Sequence, residues 1–319
     1  MDIDDRPTEQ LSIVHHGSVK IIRRAGEHVL AFEHTDRFSV FDCGPHPQEI
    51  PGMGEALCRC NVAGFKIAAA LCIPTHFIRE KDGRTILVRE FATPKDRPLY
   101  PEETDVMIPL EFIDRERVSG SIRRALESGK KKPTNYGFAS NDFDKLPREG
   151  TPFPFPVHEC TTKWEKVDRP LEDDEAMRLG GISREEWQRA WALIDRLNGA
   201  LSLAARASRF TRLDGKKELA FMGPERQIVF IDAFGNPHED RYAPTAELEE
   251  GIVIHHSKEF LRQLFVQNGF YADVQKARAA GEADPPYPSL TTEQIGEASE
   301  RFSRFSLHYE QAVGRIVSN

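Results

Sequence analysis

The stretch Leu213–Tyr242, LDGKKELAFMGPERQIVFIDAFGNPHEDRY, constrains this chain more than any other. A Gly-Pro pair divides it into two apolar-rich segments, which predicts two strands joined by a turn centred on Glu225. Asp214, Lys216 and Glu218 recur at every second residue, so in a strand they share one face. Asp232 follows the apolar run Ile228–Ile231, and such a turn sets it opposite Glu218. Two facing carboxylates suit Mg²⁺, which takes oxygen ligands and keeps water and phosphate around it. A lysine one pleat away suits a phosphate. The same charges also fit an ordinary Asp214-Gly215 turn followed by a solvated edge. The stretch by itself leaves both readings open.

At 319 residues the chain can bury a sizeable core as one large domain or two. Its net charge of −8 excludes a general nucleic-acid binder, which carries a basic balance. The one basic run, Lys130–Lys132, sits among Gly, Pro, Asn and Ser and is expected to be a solvated loop. No apolar run approaches the length of a membrane span. The five cysteines (Cys43, Cys58, Cys60, Cys72, Cys160) lack disulfide or zinc spacing, and the N-terminus is acidic. A reduced, cytoplasmic protein is expected.

Along the chain, residues 1–10 are expected to be a disordered lead-in. His15–Ile22 and His28–Glu33 predict two strands around a turn at Arg23–Glu27. Gly17 and Lys20 on this hairpin can fold over nucleotide phosphates. A buried helix is expected over 55–71, then strands at His76–Ile78 and Thr85–Val88, and a linker at Ala92–Pro101. Residues 11–100 thus form one lobe and 101–319 a second, in an α+β fold. Leu110–Arg115 predicts a strand, followed by a Gly-Ser loop and a helix at Ile122–Glu127. A helix start with free amides, Ser121, Arg115 and Arg117 can take an anion, or can be a plainly capped helix with surface arginines. Residues 129–157 are expected to be irregular, with Tyr136, Phe138, Phe143, Phe153 and Phe155 packing inward. Ser183 and Glu186 form a capping box for a helix to Arg209. Lys258 and Arg262 share a face of a further helix. Residues 273–290 are expected to be an exposed insertion, and Thr292–Val313 a last amphipathic helix.

Taken in order, these segments resemble the SAICAR synthetase family of purine synthesis, from Gly17 to about Arg315. Gly17-Ser18-Val19-Lys20 resembles its G-K-x-K hairpin, Thr35–Asp42 its T-D-R-x-S-x-F-D and Ile50–Leu57 its I-P-G-x-G-x-x-L. Arg115–Ser121 resembles R-N-x-x-x-G-S, Thr161–Lys163 T-x-K, Asp214–Glu218 D-x-K-x-E, Asp232–Arg241 D-E-x-x-x-D-x-x-R, and Lys258–Gly269 K-x-x-x-R…N-G. The resemblance implies a small antiparallel N-terminal lobe and a larger α/β lobe, with the nucleotide in the cleft. It implies ATP and Mg²⁺, a ribotide carboxylate activated as an acyl phosphate, and an amine such as L-aspartate. Gly17, Ser18, Val19, Lys20, Lys163 and Lys216 would hold the nucleotide, and Glu218 and Asp232 the metal. Arg115, Ser121, Arg241, Lys258 and Arg262 would bind substrate. Lys216, Asp168 and His238 would stand at the reacting end, Asp168 orienting an amine or hydroxyl. No nucleic acid or membrane partner is implied, and a homo-oligomer is left open. The sequence departs from the family at Ser18, Val167, Ala233 and His238, with a one-residue insertion at Gly235. These changes gather near the acceptor and suggest a relative diverted to nucleoside-antibiotic synthesis, with the housekeeping enzyme, or a ring-rearranging relative that dispenses with aspartate, as the alternative.

Overall fold

A computed structural model describes residues 2–95, 97–142, 146–165 and 168–318, so Phe143 and Val167 lie outside the described residues. The first sheet holds β1 (Ile13–His16), β2 (Lys20–Gly26), β3 (Val29–His34), β4 (Phe77–Asp82) and β5 (Thr85–Arg89), with α1 (Met53–Ala70) between β3 and β4 in sequence. Its order is β1-β2-β3-β5-β4, all antiparallel. Two expectations shift here. The predicted strand His15–Ile22 breaks at Gly17–Val19, and the turn predicted at Arg23–Glu27 moves on, because β2 continues through Gly26. Residues 2–10, expected to be a disordered lead-in, are mostly exposed but tied to the first sheet at two points. The Asp4 N–H donates to Ala25 O at 2.8 Å, and the buried Thr8 hydroxyl donates to Asp82 at 2.7 Å.

The second sheet holds β6 (Val106–Met107), β7 (Leu110–Arg117), β8 (Pro152–Thr162), β9 (Pro170–Leu171), β10 (Phe210–Met222), β11 (Gln227–Ile231) and β12 (Asp240–Pro244). The order is β11-β10-β7-β8-β9, and β6 and β12 also pair with β10. Around it run α2 (Gly120–Glu127), α3 (Asp173–Gly180), α4 (Arg184–Ala207), α5 (Thr245–Glu249), α6 (Lys258–Gln267), α7 (Phe270–Ala280) and α8 (Thr292–Val317). No described helix is long and apolar enough to cross a membrane. The largest core cluster joins Phe65 of α1, Phe77, Phe230, Phe234, Leu201 of α4 and Tyr309 of α8, and so links the two sheets through the long helices. Burying these side chains stabilises each by about 1.5–3 kcal/mol.

Part of the stretch expected to be irregular is strand β8. Its prolines 152, 154 and 156 are accepted because, among the described residues, no strand pairs with the far edge of that segment, β9 pairing only with Cys160 and Thr161. The expected exposed insertion is partly helix α7. Its Val274, with Tyr287 and Leu290, packs on Phe38, Phe265 and Phe302. Asp214-Gly215 is no turn but the middle of the 13-residue β10. A bulge between Arg212 and Asp214 resets the alternation there. Asp214, Lys216 and Glu218 then face one way, and Arg212 shares the opposite face with Lys217. Gly215 has no side chain because a Cβ would collide with Asp240 and Arg212.

Candidate active site

β7 and β10 run side by side, Asp214 opposite Arg115 and Lys216 opposite Ile113. Alternation puts Glu111 and Arg115 of β7 on the face that carries Asp214, Lys216 and Glu218. The charges on that face divide into two groups.

The first is built on lysines. Lys216 Nζ lies 2.7 Å from Glu111, 3.0 Å from Glu218 and 3.2 Å from Glu239. Lys163, from the end of β8, reaches Glu218 at 2.5 Å and Glu111 at 3.5 Å. Lys20, at the start of β2, bonds Asp232 and lies 4.6 Å above the Phe32 ring. Burial works to strip the proton from Lys216, but Glu239, Glu111 and Glu218 hold its ammonium well above the ordinary lysine range. Burial likewise opposes charge on Glu218, and Lys163 and Lys216 more than offset it, keeping that carboxyl low. Gly17, Ser18 and Val19 form the turn into Lys20, closed by the Gly17 N–H donating to Lys20 O at 2.9 Å. Asp168 is exposed, yet protein crowding its carboxyl, with Glu111 and Asp42, pushes it up to about 6 against the pull of Lys216 and Lys163.

The second group is built on arginines. Arg115 donates to Glu159 at 2.8 Å, to Asp214 at 3.0 Å and to the Ser121 hydroxyl at 3.1 Å. Arg241 donates to Asp214 at 2.8 Å and to Glu259 at 2.9 Å, and covers Gly120 so closely that a Cβ there would meet the guanidinium at 2.5 Å. Arg262 reaches Glu259 at 3.3 Å. The helix start of α2, with Ser119 bonded to Asp214 at 2.6 Å, is therefore fixed beside Arg115 and Arg241. Lys258 stands between the groups, lowered to about 8 by burial and by Arg262, with Glu239 opposing.

The structure thus brings Lys20, Lys163, Lys216, Glu218 and Asp232 into one cluster and Arg115, Ser121, Arg241 and Arg262 into the other. Two details differ from expectation. The β10–β11 turn closes between Met222 and Gln227, so Glu218 pairs with Ile231 and Asp232 falls one residue beyond. Gly223 and Arg226 in that turn both adopt positive φ, which permits the tight four-residue loop. His238 does not turn to the lysines: its ring packs against Phe302 at 5.7 Å and its buried Nε2 has no hydrogen-bond partner. Burial, with Lys258 close by, holds that imidazole neutral. The acid that reaches Lys216 is Glu239, one residue later. Its signal in sequence was a carboxylate adjoining the substituted position. Sequence reasoning also missed Glu111, Asp214 as the anchor of two arginines, and Glu259.

Residues 13–277 match the SAICAR synthetase family. The chain is 34% identical over 305 residues to the phosphoribosylaminoimidazole-succinocarboxamide synthase of Thermoplasma acidophilum, covering 96% of this chain and 99% of that protein. It is 33% identical to the synthase of the same name from Thermoplasma volcanium, with the same shares covered. Among solved structures it shares the fold of the SAICAR-synthase from Saccharomyces cerevisiae complexed with SAICAR, at a TM-score of 0.67, 19% identity and 98% of both chains. It also shares that of a SAICAR synthetase (Type-2) in complex with ADP, at a TM-score of 0.63 and 21% identity, over 91% of this chain and 97% of that one.

Proposed function

Since the chain belongs to the SAICAR synthetase family of ATP-dependent C–N ligases, we propose that it joins L-aspartate to the carboxylate of an aminoimidazole ribotide. The observation that carries this reading is the division of one sheet face into a lysine–carboxylate end and an arginine–hydroxyl end. The first suits a metal-bound polyphosphate, and the second suits a phosphate monoester or a dicarboxylate. Relatives that match over nearly their whole length bear the purine-enzyme name, which favours the housekeeping reaction over diversion to an antibiotic pathway.

The residues fit Mg²⁺. Glu218 and Asp232 offer only oxygen, and Lys20 is bonded to Asp232 and close enough to Glu218 to feel its charge. Among the described residues no group of three or more His, Cys, Asp or Glu is placed to hold a metal. Mg²⁺ takes one or two carboxylates and completes its shell with phosphate and water. Glu218 and Asp232 would hold the ion, and Lys20, Lys163 and Lys216 would turn from carboxylates to phosphate oxygens. Mg·ATP supplies the phosphoryl group that makes the ribotide carboxylate an acyl phosphate, from which the aspartate amine expels phosphate. Arg115, Ser121, Arg241 and Arg262 would seat the ribotide phosphate and substrate carboxylates. Asp168, at the rim of the lysine cluster, would orient the amine. Such a site works mainly by positioning and charge neutralisation.

The test is ADP release on adding the carboxylated aminoimidazole ribotide, ATP and aspartate. ADP and the aspartyl amide should form in equal amounts and only when both substrates are present. ADP release that is indifferent to aspartate would overturn the assignment.

A further inference from the structure

Residues 233–239 are held by a chain of buried side chains that starts in the other sheet. His34 of β3, Asn61 of α1 and Asn236 are 5%, 1% and 2% exposed. His34 Nδ1 lies 3.0 Å from Arg84 O, which only accepts, so Nδ1 carries the proton. His34 Nε2 then accepts from Asn61 Nδ2 at 2.6 Å. Asn61 Oδ1 accepts from Asn236 Nδ2 at 2.7 Å. Asn236 Oδ1 accepts the backbone N–H groups of His238 at 2.7 Å and Glu239 at 3.2 Å. Each amide has one workable orientation, since reversing Asn236 would set its NH₂ against two N–H donors. Burial lowers His34 to about 4, so the neutral tautomer this chain needs is the one present at neutral pH.

The turn fixed in this way has two products. Glu239 is delivered to Lys216, and its own carbonyl accepts the Lys216 N–H at 3.2 Å. The Pro237 carbonyl accepts the Lys258 N–H at 2.8 Å, which seats the start of α6. Gly235 enters the turn in left-handed backbone, at φ 71°. Asp240 pins the far side separately, accepting from Gly235 N–H, Arg212 and Lys217.

We propose that Asn236 is a positioning residue which, through Asn61 and His34, holds Glu239 against Lys216 and so couples the first sheet to the lysine–carboxylate end of the site. The proposal rests on the ligase reading for its catalytic consequence, but the geometry it invokes is independent of the amine used.

A double-mutant cycle tests this. Asn236→Ala and Glu239→Gln should each lower kcat/KM by about tenfold to a hundredfold, as loss of a supporting contact does. If Asn236 acts through Glu239, the double variant is no worse than Glu239→Gln alone. Asn236→Asp keeps an acceptor for both N–H groups but sets a carboxylate oxygen against Asn61 Oδ1, so it should recover little of the loss; full recovery would overturn the part given to Asn61 and His34. Additive effects, or a folded Asn236→Ala with unchanged kinetics, would overturn the proposal. Melting curves check the fold; if Asn236→Ala does not fold, Asn61→Ser breaks the same chain one step back and carries the same expectation. Mg·ADP affinity is measured across the same cycle, with coupling expected there too. It keeps the proposal testable if the wild-type protein ligates no aspartate, an outcome that would defeat the ligase reading alone.

Discussion

On one face of β10, Arg212 and Lys217 are sealed, both side chains wholly inaccessible, and bonded to Asp114 and Asp240. On the other face, Lys216 is bonded as closely to three carboxylates yet keeps 24% of its side chain exposed. The residue types are the same and the strand is the same. What differs is access. The sealed set has Arg212 bonded to Asp114, Asp240 and Glu116, and Glu116 in turn to Ser202 of α4, and with no exposed surface on Arg212 or Lys217 a ligand cannot reach it. The open set consists of ion pairs that an incoming polyphosphate and metal can exchange. Charge on a strand is therefore no guide to function until its neighbours are known.

The comparison breaks most visibly in stability. Arg212→Ala strands Asp114 and Asp240 without their guanidinium and should cost about 3–5 kcal/mol, read from denaturant titration. Lys216→Ala should cost clearly less in the same titration, while ligase activity is lost. Equal destabilisation would show that the open cluster is as structural as the sealed one. Glu218→Ala is the next largest effect. It should abolish the Mg²⁺-dependent part of ATP binding, a loss of about a hundredfold by equilibrium titration with and without the ion. Unchanged ATP affinity in that variant would remove Glu218 from the metal site.

These contrasts mark what could be read from sequence. The long helices could: α4 begins at the Ser183/Glu186 capping box, both of whose bonds form, and α1 lies within two residues of its expected start. Their signals are local, in periodicity and caps. β8 hides behind prolines, and α7 behind a polar, Ala-rich composition, because what fixes them is a neighbouring strand or the Phe38–Phe265 cluster. The site's residue types were legible through ordered motifs. Their partners were not. A one-residue difference in turn closure set Asp232 past Glu218, and a bulge at Arg212 decided which face each charge occupies. Glu239 was visible only as a neighbour of His238, since nothing in the sequence tells which of two adjacent residues faces the lysines.

Asp214 sharpens the comparison because it belongs to both kinds. It is 1% exposed, yet its carboxylate orders Arg115 and Arg241 at the arginine end of the site. Burial opposes its charge, and Arg241 and Arg115 hold it ionised. Asp214→Asn removes the charge between two arginines that then repel. The KM for the ribotide should rise by about tenfold or more, with the KM for ATP little changed. A rise in both would place Asp214 in a common scaffold rather than at the arginine end.

The smallest expected effect is at the rim, where Asp168 is exposed but raised from 3.8 to about 6. Above pH 6 it is a carboxylate able to accept a proton from, or hold, an amine; below, it takes a proton and loses that capacity. Activity should therefore fall as pH drops through about 6, by about tenfold per pH unit once the acid form dominates. Asp168→Asn should erase this limb. The stability change runs the other way. A carboxyl with a raised folded value binds its proton more tightly folded than unfolded, so its ionisation disfavours the fold as pH rises from about 4 through 6. Asp168→Asn should then match the wild type at low pH and exceed it in stability above pH 6. Glu111 and Asp42 raise Asp168, whereas Lys216 and Lys163 lower it. Glu111→Gln should move the limb to lower pH, and phosphate oxygens that draw those lysines away should move it higher. An acid limb that stays put in Asp168→Asn would assign it to another group and leave Asp168 as a bystander at the rim.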